Sequence, residues 1–140
     1  YGILRPFDGI VPYRLEMQAR LAVTGAKNLY AFWGDHLYQA LHFKEGPVIN
    51  LASKEYAKAV TPYLQQDDQF ISIVFGHWVD GQLKTRATFA KMARSAMVRY
   101  MAEHNITTVD GIKTFDHPDY TFNTELSTET KLVFVHTNHN

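Results

Sequence analysis

The sequence predicts an α+β fold: a mixed sheet with β-hairpins and packed helices, forming a single domain over residues 1–140. Three observations point there. Several short apolar segments are bounded by Gly, Pro, Asn and Asp, as strands are. Asp80-Gly81 lies between two such segments and is a strong hairpin signal. The stretch from Lys84 to Met101 repeats apolar residues at helical spacing.

Composition narrows the function classes. A chain of 140 residues buries roughly 68% of its unfolded surface and holds a real core. Basic and acidic side chains balance at 14 each, so no global field draws the protein to nucleic acid or anionic membrane. Binding of that kind requires local clustering. The absence of cysteine excludes disulfides, thiolate metal sites and a cysteine nucleophile. No apolar run approaches the ~20 residues that span a bilayer. No membrane partner is expected, and the cytoplasm is the expected location. The chain opens at Tyr1-Gly2 without an initiator Met and reads as a piece of a longer protein. Its own missing N-terminal region is therefore an expected partner.

Taken in order, Gly2, Pro6, Gly9 and Pro12 predict an irregular, turn-rich start. Tyr13 to Leu21 alternates apolar and polar residues and predicts a half-buried strand. Thr24-Gly25 predicts a turn. Asn28 predicts the N-cap of a helix reaching about Lys44, with Leu29, Phe32, Trp33, Leu37, Ala40 and Leu41 on its apolar face. Gly34 interrupts it at a cost of ~1 kcal/mol relative to Ala, which predicts close packing there. Gly46-Pro47 stops it. Val48 to Ala52 predicts a short strand, and Ser53 the cap of a short helix over Lys54 to Val60.

Phe70 to Val79 and Gln82 to Thr88 are the predicted arms of the Asp80-Gly81 hairpin. A long helix follows, capped by Thr85 or Thr88 and ending near His104-Asn105. Its predicted apolar stripe is Phe89, Met92, Ala93, Ala96, Met97 and Tyr100, with Lys91, Arg94 and Arg99 on the opposite side. Ile106 to Phe115 predicts a second, short helix capped by Thr107 or Thr108. Asp116 to Asp119 is a turn. Tyr120 to Leu126 and Lys131 to His136 form a last predicted hairpin.

Catalytic motifs are sparse. Ser53 lies in no nucleophile elbow, and no phosphate-cradling glycine pattern occurs. The histidines His36, His42, His77, His104, His117, His136 and His139 show no ligand spacing; His136-x-x-His139 falls at the end of the chain. No metal site and no cofactor are expected, and the balance leans away from an enzyme. What stands out is charge. No acidic residue occurs between Gly81 and Ala102. A basic helix, a short turn and a second helix form a helix-hairpin-helix-like element that suits backbone phosphates without base readout. Lys84, Arg86, Lys91, Arg94, Arg99, Gly111 and Lys113 are the candidate contacts to double-stranded DNA.

Six segments carry a family resemblance. YGILRPFD (Tyr1–Asp8), PYRLEM (Pro12–Met17), LYAFWGD (Leu29–Asp35) and VINLASKEY (Val48–Tyr56) resemble successive blocks of the YaaA family of bacterial peroxide-stress-resistance proteins. AKMARSAMVRYMAEHNI (Ala90–Ile106) and KLVFVH (Lys131–His136) resemble its last blocks, in order. The resemblance implies a cytoplasmic protein that limits free iron, and so limits iron-driven damage to DNA and protein. It also implies a mixed α/β fold with a DNA-binding helix-hairpin-helix element on Ala90 to Phe115, and a preceding N-terminal region. Where the family often reads AKKARG, this chain has Met92 for a Lys and Ser95 for the Gly. These changes imply a weaker phosphate contact and a less intimate backbone approach. The polar residues of the matching blocks, Arg5, Tyr13, Arg14, Glu16, Asn50, Ser53, Glu55 and Tyr56, form the alternative expectation, a small-ligand or enzymatic pocket.

Overall fold

A computed structural model describes residues 2–5, 7–21 and 25–137. Pro6, Thr24 and His139 lie outside the described residues, so the turn at Thr24 and the His136–His139 pair are not addressed. The chain divides into two compact units, residues 1–48 with 52–70, and residues 49–51 with 71–140.

The first unit is built from short elements. Helix α1 (Leu29–Trp33) begins at Asn28, whose Oδ1 accepts a hydrogen bond from the Ala31 backbone N–H at 2.9 Å. This is the expected cap. The helix does not run on to Lys44: it stops at Gly34 and restarts as α2 (His36–Ala40), followed by a single 3₁₀ turn over Phe43–Glu45. Gly34 has φ +51° and ψ −131°, and a Cβ added there would meet nothing within 4 Å. The glycine serves backbone conformation, not the close packing expected from its position. Gly46, at φ +147°, ends the segment as predicted. Helix α3 (Lys54–Ala57) is shorter than expected, and Ser53 stands at its N-cap without a capping side-chain hydrogen bond.

Tyr13 to Leu21 is not a strand. Alternation sets which face would be buried, but a strand needs a neighbour to complete its ladder. Here the backbone makes single bonds and no ladder: Ala19 N–H donates to Glu16 C=O at 3.2 Å, Leu21 N–H to Lys27 C=O at 3.4 Å, and Leu29 N–H to Met17 C=O at 3.1 Å. Of this stretch only Met17 is buried.

The second unit is organised on a sheet of strands β1 (Val48–Asn50), β2 (Phe70–Val79), β3 (Gln82–Lys84), β4 (Tyr120–Thr128) and β5 (Lys131–His136). The order is β1-β2-β5-β4, with β3 paired to β2. The hairpin at Asp80-Gly81 forms as predicted. Both residues have positive φ, at 52° and 71°, the conformation a type I′ turn requires of its two central residues. Its second arm is short: β3 ends at Lys84, and Leu83 lies against Gly76, where a Cβ would approach the Leu83 Cγ to 2.6 Å.

The β4–β5 hairpin runs further along β4 than expected and turns at Glu129-Thr130. A register shift between Asn123 and Thr128 is satisfied by side chains. Ser127 Oγ donates to Asn123 C=O at 2.6 Å and accepts from Val133 N–H at 2.9 Å. Strands β2 and β5 are parallel neighbours, from Ser72 opposite Lys131 to Gly76 opposite Val135. Local patterning gave no sign of this pairing.

Helices α4 (Ala87–Glu103) and α5 (Val109–Lys113) pack with the sheet around Ile71, Ile73, Phe75, Leu132 and Phe134. The buried stripe of α4 is Ala90, Ala93 and Met97. Phe89 and Met92, expected on that stripe, are exposed. Two alanines at i, i+3 let the helix backbone approach closely, and that turns the larger neighbours outward. The N-cap is Arg86, in extended conformation, rather than Thr85 or Thr88, and no side chain caps the first turn.

Candidate functional site

The basic stretch begins at the end of β3. Lys84, Arg86 and Lys91 are exposed, and no carboxylate pairs with them among the described residues. Arg94 falls near the buried stripe, one turn from both Ala90 and Met97. It is half-buried, and its Nε is sequestered without a hydrogen-bond acceptor. The other two expected cations have partners. Arg99 Nε donates to Glu103 Oε1 at 2.7 Å, just past the acid-free stretch, and this raises the Arg99 pKa and lowers that of Glu103. Lys113 Nζ contacts Asp110 Oδ1 at 2.6 Å, which holds the Asp110 carboxyl below its usual value. Such exposed pairs exchange readily with a competing anion.

The link between α4 and α5 is tightly made. Asn105 takes φ +50° to reverse the chain, and Ile106 N–H returns to Met101 C=O at 2.9 Å. Thr108 Oγ1 then caps α5 by accepting from Gly111 N–H at 3.1 Å. Gly111 is needed for space, since a Cβ would lie 2.8 Å from the Ile106 Cγ2. Tyr100 Oη donates to Thr114 C=O at 2.8 Å and ties the end of α4 to the end of α5. The end of α4 and the whole of α5 thus form one braced unit.

A second polar site lies where the parallel strands end. The register that sets Gly76 beside Val135 also sets His77 beside His136, and their rings stack at 4.1 Å between centroids. Tyr120, opposite His136 across the β4–β5 pair, shares a 2.9 Å hydrogen bond between its hydroxyl and His77 Nε2. His77 is 6% exposed, and Phe89 from the first turn of α4 stands edge-on to it at 5.1 Å. Burial, then the charges of His136 and Arg86, lower the His77 pKa and keep its ring neutral. Burial also raises the Tyr120 hydroxyl. A hollow of about 530 Å³ opens beside these rings, lined also by Trp78, Arg86, Asn123 and Thr137. Sequence reasoning missed it, because the two histidines meet only through a nonlocal parallel pairing.

The alternative polar set is not gathered into one cluster within either unit. Arg14 and Glu16 form an exposed pair at 3.0 Å, and Tyr56 Oη donates to Leu15 C=O at 3.3 Å. Arg5, Tyr13 and Glu55 are exposed, and Ser53 is half-buried. Asn50 belongs to the second unit, where its Nδ2 donates to Ser72 Oγ at 3.0 Å. A shallow hollow in the first unit is lined by other residues, among them Lys27, Tyr30, Lys58 and Tyr63.

Comparison with known proteins now decides the family. The family model described as "Peroxide stress protein YaaA" matches residues 1–126. The chain belongs to the YaaA peroxide stress protein family. Its curated relatives include a UPF0246 protein of Lactiplantibacillus plantarum, 65% identical over 136 residues, covering 97% of this chain and 55% of the relative. A UPF0246 protein of Lacticaseibacillus casei is 62% identical over 135 residues, covering 96% of this chain and 55% of its own length. One from Agathobacter rectalis is 48% identical over 134 residues, covering 96% and 54%. The chain thus spans about half the length of the curated relatives it matches. Among the described residues no helix is long and apolar enough to cross a membrane, and no three His, Asp or Glu side chains gather as a metal set would require.

Proposed function

We propose that this YaaA-family chain serves in peroxide-stress resistance by holding duplex DNA in the cytoplasm, through phosphate contacts made by α4 and the start of α5. Holding DNA in this way limits iron-driven damage to it. The observation that carries the reading is the run of cations from Lys84 to Arg94, which has no carboxylate partner among the described residues.

Hydrogen bonds from Lys and Arg to phosphate oxygens are charge-assisted and stronger than neutral ones. The α4–turn–α5 pair acts as a helix-hairpin-helix-like element. Lys84, Arg86, Lys91 and Arg94 neutralise phosphates, while Arg99 and Lys113, whose charge is shared with Glu103 and Asp110, add little. Gly111 lets Ile106 close the turn, so that the capped start of α5 comes near the strand.

Contacts to phosphate position a protein without reading bases. Two labelled duplexes of unrelated sequence are therefore expected to bind with affinities within about threefold of each other. Lys91→Ala/Arg94→Ala weakens both by the same factor. A double variant that binds both duplexes as tightly as wild type would remove the reading.

A further inference from the structure

We propose that the hollow at the ends of β2 and β5 binds a free nucleoside 5′-monophosphate. It would take the phosphate on Arg86, beside the His77–His136 pair, and stack the base on Phe89 and Trp78.

The position is the first argument. Parallel strands that end side by side leave a crevice beyond their carboxyl ends, where ligands of open sheets gather. Here the crevice is closed by the first turn of α4, which carries Arg86 and Phe89 and has no side-chain cap. Its volume, about 530 Å³, lies in the range that encloses a small organic ligand.

Chemistry narrows the class. No acidic side chain is found among the residues lining the hollow, whereas Arg86 is, so the ligand carries negative charge. A metal ion fits poorly. The two rings lie nearly parallel, 23° apart, and their in-plane lone pairs run alongside one another instead of converging. A bare anion leaves the aromatic surface unexplained. Trp78 is 54% exposed and Phe89 45% exposed, and both belong to the same lining. A planar heterocycle covers such faces, as bases do on aromatic side chains. Asn123, Thr121 and Thr137 supply the hydrogen-bonding groups for a sugar and a base edge.

This site is independent of the DNA reading except at Arg86. The test is calorimetric titration of the intact chain with adenosine 5′-monophosphate, adenosine and inorganic phosphate in parallel. Saturable one-to-one binding of the nucleotide is expected, with adenosine and phosphate each at least about tenfold weaker, the value of a hydrogen bond to a charged group. Arg86→Ala weakens the nucleotide about 10- to 100-fold, and Phe89→Ala weakens it as well. Lys131→Ala, at the opposite end of β5, has no effect. Wild-type imidazole NMR signals of His77 and His136 shift on nucleotide addition, a readout that survives if a variant fails to fold. No saturable binding near 1 mM, unshifted imidazoles, or phosphate binding as tight as the nucleotide would each overturn the proposal. Failure of Lys91→Ala/Arg94→Ala to alter DNA affinity would instead strike only the duplex reading.

Discussion

The imidazoles of His77 and His136 stack at 4.1 Å on neighbouring parallel strands, and Tyr120 closes the group with a 2.9 Å hydrogen bond to His77. Burial against these rings lowers the His77 pKa below its ordinary 6.5. The unfolded chain therefore holds a proton on this residue more readily than the folded one. Stability from the neutral ring is fully present above pH 6.5 and is lost as pH falls from there through the folded-state value. Thermal midpoints measured between pH 8 and pH 5 are expected to drop on the acid side. His77→Gln, whatever its own stability, is expected to show a smaller drop. Equal acid-side slopes would contradict this.

Gly76 precedes His77, and its missing side chain is where Leu83 packs. A Cβ there meets the Leu83 Cγ at 2.6 Å, and a branched carbon so near the backbone has little room to yield. Gly76→Ala is expected to destabilise by about 1–3 kcal/mol, as overpacking does. Chemical denaturation reads this directly. A neutral result would mean that β3 shifts freely over β2.

Thr108 caps a helix of only five residues. Thr108→Ala removes the acceptor for Gly111 N–H and is expected to cost about 1 kcal/mol. The loss of order falls on residues 105–114, which amide hydrogen exchange resolves. Uniform loss of protection across the sheet would argue against a local role.

Met97 is fully buried on the core side of α4. Met97→Ala is expected to cost about 2–5 kcal/mol through lost transfer energy and the cavity left behind. Met92→Ala, on the same helix but exposed, is expected to change stability by less than about 0.5 kcal/mol. Comparable effects at both positions would contradict the observed orientation of the helix.

Sequence reading succeeded wherever the cause was local. Asp80-Gly81 fixes a hairpin through two positive φ values that few other pairs adopt. Asn28 and Thr108 cap helices through bonds spanning three residues. The extent of α4 follows from periodicity, although its rotation does not. Tyr100 and Met97 behave as expected, while Ala90 joins the buried stripe and Phe89 and Met92 face outward.

Nonlocal causes were invisible. Tyr13 to Leu21 alternates like a strand, but alternation cannot supply the neighbour that a ladder requires. Gly34 reads as a packing residue until its backbone angles are known. Of the candidate interface, the cations were legible, while the Arg99–Glu103 and Lys113–Asp110 pairs partly qualify their charge. The His77–Tyr120–His136 group depends on β5 lying beside β2, with α4, α5 and β4 intervening in the chain. No spacing rule within one segment reaches that far.

The most direct test of the account is the salt dependence of duplex DNA binding, followed by fluorescence anisotropy. Four phosphate contacts by Lys84, Arg86, Lys91 and Arg94 predict a log–log slope of about −3.6, since each contact contributes about −0.9. Lys91→Ala/Arg94→Ala is expected to bring it to about −1.8. A slope that stays unchanged in the double variant, or no binding by wild type at low salt, would contradict the assignment of α4 as the DNA-holding element.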